Sequence, residues 1–102
     1  MMEYIDAHCH LNAAEFANDI DDVIVRAVNA GVQACVVVTE FASDFQRTLD
    51  LAESHAGFVR PCLGLHPIQQ GGRCVTPADF EHALSLIEQH RDAIVGIGEV
   101  NA

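Results

Sequence analysis

Positive charge is scarce in this sequence: 5 Lys and Arg residues stand against 15 Asp and Glu, a formal net charge of −10. So acidic a surface releases few counterions on meeting a phosphate backbone, which excludes tight, sequence-independent nucleic-acid binding by side-chain charge alone. Any phosphate ligand would need bound cations. Long apolar runs are missing too. No window approaches the roughly 18 uninterrupted apolar residues of a spanning helix, and the start, MMEYID, lacks the basic and apolar regions of a signal peptide. These absences read as a soluble, unexported chain of the cytoplasm or nucleus. The four cysteines, Cys9, Cys35, Cys62 and Cys74, form no C-x-x-C pair and lack the dense spacing of a secreted disulfide scaffold, so buried free thiols are expected. Low-complexity sequence is absent, and QQGGR (69–73) is the only loop-like polar stretch.

What is present suits one small domain over residues 1–102 with a single core. Four short apolar runs, 4–7 (YIDA), 34–39 (ACVVVT), 58–65 (FVRPCLGL) and 93–98 (AIVGIG), read as strands. Their Val and Ile content without strict polar alternation suits strands buried on both faces, as in parallel sheets covered by helices. Helical signals separate them. Ile20, Val23, Ile24, Ala27 and Val28 share one helical face, with Asn18 or Asp19 as cap and Gly31 as terminator. A second helix is predicted to open on a Ser43-x-x-Gln46 capping box, turn Phe45, Leu49 and Ala52 inward, and stop at Gly57. A third has Thr76 as cap, Pro77 at the first helical position and Asp79 nearby, and is predicted to bury Phe80, Leu84 and Ile87.

The order β-α-β-α-β-α-β with right-handed crossovers makes the sheet parallel. A repeat of roughly 30 residues matches one βα unit of an eight-fold barrel, giving about three units and a fourth strand. An open, doubly wound sheet is the other arrangement, and periodicity does not separate the two. In either, the C-terminal strand ends share one rim, where α/β proteins build their sites. There the sequence places His8 and His10, then Thr39 and Glu40, then His66-Pro67, then Glu99. If the first strand runs to His10, both imidazoles point to one face and can share a cation at about 2.0–2.1 Å from each nitrogen. Glu99 is the candidate carboxylate for the same site, and Asp6 a supporting group behind it or a residue of the barrel interior. Cys9 should point to the opposite face as a packed thiol. His55, His82 and His90 lie in or at the ends of helices and carry no assigned chemistry. Taken singly, each has an ordinary explanation: H-x-H pairs recur on surfaces, and His-Pro often marks a turn.

Ile5-Asp6-Ala7-His8-Cys9-His10-Leu11, then Gly64-Leu65-His66-Pro67, then Gly96-Ile97-Gly98-Glu99-Val100 resemble, in order and spacing, the TatD-type metal-dependent deoxyribonucleases, relatives of the amidohydrolases. The resemblance implies the N-terminal part of a TIM barrel whose rim binds two divalent ions (zinc, magnesium or manganese) and hydrolyses DNA phosphodiester bonds. It assigns His8 and His10 to the first metal, Glu99 to both metals as the catalytic carboxylate, and His66 to the phosphate. DNA is the implied substrate, with no membrane and no obligate protein partner. The family motif continues past Glu99-Val100 with Gly-Leu-Asp, whereas this sequence reads Asn101-Ala102, and later family ligands have no counterpart. The expectation is therefore a domain truncated after its fourth strand, with at most the first metal site partly formed, marginally stable and inactive alone. Two further readings compete. One is a non-catalytic truncated product acting as an interaction or regulatory module; the other is a structural zinc module using His8, His10 and a cysteine.

Overall fold

The computed structural model describes residues 2–99. Val100, and with it the departure from the motif at Asn101 and Ala102, lies outside the described residues. Four strands, β1 (Tyr4–Cys9), β2 (Val32–Val38), β3 (Val59–Leu63) and β4 (Gly96–Ile97), alternate with α1 (Ile20–Asn29), α2 (Phe45–Ser54) and α3 (Pro77–Gln89). The strands pair in parallel, in the order β1-β2-β3-β4. Both core clusters lie on one face of this sheet. Cys35 and Val37 alternate along β2, Val59 and Leu63 occupy matching positions on β3, and all are buried against helical residues such as Ile24, Phe45 and Ala83. A doubly wound sheet reverses its strand order at a switch point and has helices on both faces. Sequential order with helices on one face is the barrel solution, and the sheet is a curled part of one.

Local boundaries follow capping chemistry. Gly31 ends α1 at φ +103°, a left-handed conformation that a Cβ would oppose, and its amide donates to Val28 O. Thr76 and Asp79 form the reciprocal capping box of α3, with Pro77 at its first position. Asp19 caps α1 in position only, without a side-chain hydrogen bond. The box expected at Ser43 and Gln46 does not form. Ser43 lies within a 3-10 turn (Ala42–Asp44), the Asp44 carboxylate takes the amides of Glu40 and Phe41, and Gln46 donates to Asp50. Along α2, Phe45 and Thr48 are buried and Leu51 and Ala52 pack partly buried against the core, while Leu49 is only partly buried. On α3 the small Ala83 is the buried residue, and Leu84 is exposed.

The strands are also less enclosed than their composition suggests. β2 and β3 are largely buried, but Ile5 on β1 is 66% exposed and Ile97 on β4 is 56% exposed. Val and Ile content marks a segment as strand-forming, and leaves open which neighbour covers it. β4 is a two-residue strand rather than six. Its ladder to β3 nevertheless runs from Val95 N–H on Pro61 O to Leu65 N–H on Glu99 O. Among the cysteines, Cys35 and Cys62 are buried, Cys9 is half-buried, and Cys74 is exposed in the loop before α3, against the expectation of buried thiols. Among the described residues no helix is long and apolar enough to cross a membrane.

Candidate metal and phosphate site on the strand-end rim

His8 and His10 stand at the C-terminal end of β1, with ring centroids 5.3 Å apart and planes at 80°. β1 ends at Cys9, one residue before His10, and its register against β2 shifts between Asp6 and Cys9. The pairing therefore arises at an irregularity and not on a uniform pleat. A cation about 2.0–2.1 Å from one nitrogen of each ring would hold the centroids roughly 5 Å apart at a tetrahedral angle, so the donor pair suits one divalent ion. The Asp6 carboxylate accepts from the main-chain N–H of His8 at 3.1 Å, and thereby shapes this turn without touching an imidazole. Cys9 packs on the helical side against the cluster of Ile24, Cys35, Val37 and Val59. The Cys35 S–H, hydrogen-bonded to Cys9, pulls the Cys9 thiol down, while the same contact and burial push Cys35 far up.

A second pair lies along the rim. His66 Nε2 faces Glu99 Oε2 at 4.0 Å. Glu99 is held by the ladder bond from Leu65, and the approach depends on Gly64. A Cβ there would sit 2.7 Å from the Glu99 amide nitrogen and 2.9 Å from the Gly98 carbonyl carbon, closer than packed atoms allow. That is the physical reason a glycine stands two residues before His66. The two pairs do not merge: among the described residues no group of three or more His, Cys, Asp or Glu side chains is placed to hold one metal. Two imidazoles at one strand end and a separate carboxylate are the candidate donors on this rim. A closed zinc site of His8, His10 and a cysteine is not assembled.

Buried polar residues that sequence reasoning passed over hold the rim together. Thr39 is fully buried, and its hydroxyl both donates to Gly64 O at 2.7 Å and accepts from Gly64 N–H at 2.9 Å. It extends the β2–β3 ladder by one side chain beyond the last main-chain pair. Asn12, two residues past His10, donates to Val38 O at 3.1 Å and to Thr48 Oγ1 at 2.7 Å, and its own carbonyl accepts from Arg47 at 2.6 Å. The Thr48 hydroxyl donates in turn to Asp44 O at 2.8 Å. Gln69, also buried, bridges the ends of β2 and β3 by donating to Glu40 O and His66 O. The sequence places Thr39 and Glu40 on the rim without a role, and nothing in the polar run 69–73 singles out Gln69.

A protein-family model described as TatD related DNase matches residues 5–100. The chain belongs to the TatD-related DNase family. It is 46% identical over 100 residues to the putative deoxyribonuclease tatdn3 of Danio rerio, covering 95% of this chain and 38% of that protein. To the deoxyribonuclease TATDN3 of Homo sapiens it is 44% identical, covering 94% of this chain and 36% of the relative. The crystal structure of YjjV, a TatD homologue from Escherichia coli K12, superposes with a TM-score of 0.79 at 31% identity, covering 94% of this chain and 36% of that one. YjjV is named as a metal-dependent hydrolase. This TatD-family chain thus spans about a third of the length of the curated relatives it matches.

Proposed function

We propose that this chain, a single domain over residues 1–102, carries the first part of the rim of a TatD-type hydrolase that cleaves DNA phosphodiester bonds. The observation that supports this most is the 5.3 Å pairing of His8 and His10 at a strand end. Each imidazole offers one lone pair to the first divalent ion, zinc, magnesium or manganese, all of which histidine–carboxylate sites accept. Glu99, placed separately along the rim, would supply a carboxylate to the metals, and His66 would donate to a phosphoryl oxygen. When bound, the two ions supply Lewis-acid polarisation of that oxygen and a nucleophile at neutral pH. The protein's own task is then placement: Thr39, Gly64 and Gln69 fix the ends of β2, β3 and β4 so that His66 and Glu99 approach each other. Bound cations also answer the charge objection, since a chain at −10 needs them to approach a polyanion. A DNA substrate agrees with work in the cytoplasm or nucleus.

The test is metal analysis of the purified chain beside a His8→Ala, His10→Ala double variant. Loss of bound metal in the double variant is expected; equal metal content in the two would sink the first-site assignment. Metal analysis of Glu99→Gln, where a lower content than the wild type is expected, tests the carboxylate separately.

A further inference from the structure

His66 can present either ring nitrogen to a ligand, and which one carries its proton decides what it can bind. The Nδ1 of His66 accepts a hydrogen bond from the Ile68 main-chain N–H at 3.0 Å. A main-chain amide has no lone pair to give in return, so Nδ1 keeps its own, and in the neutral ring the proton resides on Nε2. Nε2 is the atom that faces Glu99 Oε2. The segment that makes the Ile68 bond is itself pinned. Gln69 is only 8% exposed; its side-chain amide donates to Glu40 O at 3.1 Å and to His66 O at 2.8 Å, and its main-chain N–H donates to Arg73 O at 2.7 Å. The His66 N–H donates to the same Glu40 carbonyl at 2.8 Å. The tip of β3 is thereby tied to the tip of β2 on both sides of the histidine.

We infer that Gln69 is a positioning residue which, through the Ile68 amide, fixes His66 as an Nε2–H donor aimed at the Glu99 carboxylate. His66 in this form recognises an oxyanion, a carboxylate at rest or a phosphoryl oxygen of a ligand, and is excluded from the metal, which requires a lone pair at that nitrogen. Glu40 takes part through its carbonyl alone, so its side chain is dispensable to the arrangement. The inference rests on the reading of His66 and Glu99 as site residues, yet it is measured without metal or DNA.

The experiment records long-range nitrogen–proton correlations of the histidine rings in the labelled chain at alkaline pH, for the wild type, Gln69→Leu and Glu40→Gln. A single Nε2-protonated pattern for His66 is expected in the wild type and in Glu40→Gln. In Gln69→Leu it should give way to a mixture of tautomers. Should Gln69→Leu not fold, Gln69→Asn, too short to reach both carbonyls, is expected to show the same loss. An Nδ1-protonated or mixed pattern in the wild type overturns the inference, and so does an unchanged pattern in a folded Gln69 variant. Equal metal content in the wild type and the His8→Ala, His10→Ala variant would defeat the proposed function and leave this result standing.

Discussion

Replacing Thr39 by Val isolates one hydroxyl that does the work of a main-chain pair. Valine matches threonine in shape, so no cavity opens, but Gly64 loses both the acceptor of its N–H and the donor to its C=O. Thr39 is fully buried, which denies those groups easy replacement by water. Each of the two buried groups left unpaired costs about 1–3 kcal/mol, together about 2–6 kcal/mol. The added methyl returns about 1 kcal/mol through apolar burial. The balance is a destabilisation of about 1–5 kcal/mol, to be set against the ~5–15 kcal/mol that holds a domain of this size. At about 4–8 °C per kcal/mol the melting midpoint should fall by at least ~4 °C. Thr39→Ser keeps the hydroxyl and should cost only about 1 kcal/mol, the value of the lost methyl. Urea unfolding of the three chains measures the differences. A valine variant within ~0.5 kcal/mol of the wild type, or a serine variant as damaged as valine, would refute the reasoning.

Gly64→Ala drives a Cβ into the Glu99 main chain and should destabilise by ~1–3 kcal/mol or more, with early loss of hydrogen-exchange protection at the Leu65 amide that bonds Glu99. The Arg73 guanidinium and the Thr76 amide hold the Asp79 carboxyl well below the usual carboxylate range. This contribution is therefore complete above the ordinary value of about 3.9 and is lost as pH falls further, through the depressed folded value. Amide exchange in the first turn of α3 should quicken over that acid window, and Asp79→Asn should remove the pH dependence. Iodoacetamide should modify Cys74 first. Cys62 is shielded and pushed up by burial, and Cys35 is pushed up by its bond to Cys9 and by burial, so peptide mass mapping should find both protected until the chain unfolds.

The strands and helices were legible because their determinants are local: the apolar face of α1, the Thr76–Asp79 box and the glycine that ends α1 each act within a few residues. The Ser43–Gln46 box failed for the same reason in reverse. Asp44, one residue on, closes a 3-10 turn instead by taking the amides of Glu40 and Phe41, and spacing alone does not rank two capping groups. The choice of barrel over doubly wound sheet depends on strand order and on which face takes the helices, both settled by packing between segments far apart in sequence. His8, His10, His66 and Glu99 could be named from their motifs at strand ends. Thr39, Asn12, Thr48 and Gln69 could not, because each bonds a partner 25 to 36 residues away or a carbonyl any residue possesses. Chemistry-bearing residues announce themselves by type, whereas those that hold them in place are recognised by what they touch.

The sequential strand order also bears on how the sheet is assembled. Every strand pairs with the next one along the chain, so each closure spans a single βα unit, and its loop entropy grows only slowly with that short separation. The sheet can therefore grow by accretion from its N-terminus as the chain emerges during synthesis, each new strand docking on the edge just made. On this route β1 and β2 would form the template. A lesion in β2 should stall everything downstream, while one in β4 should leave the first two units to form.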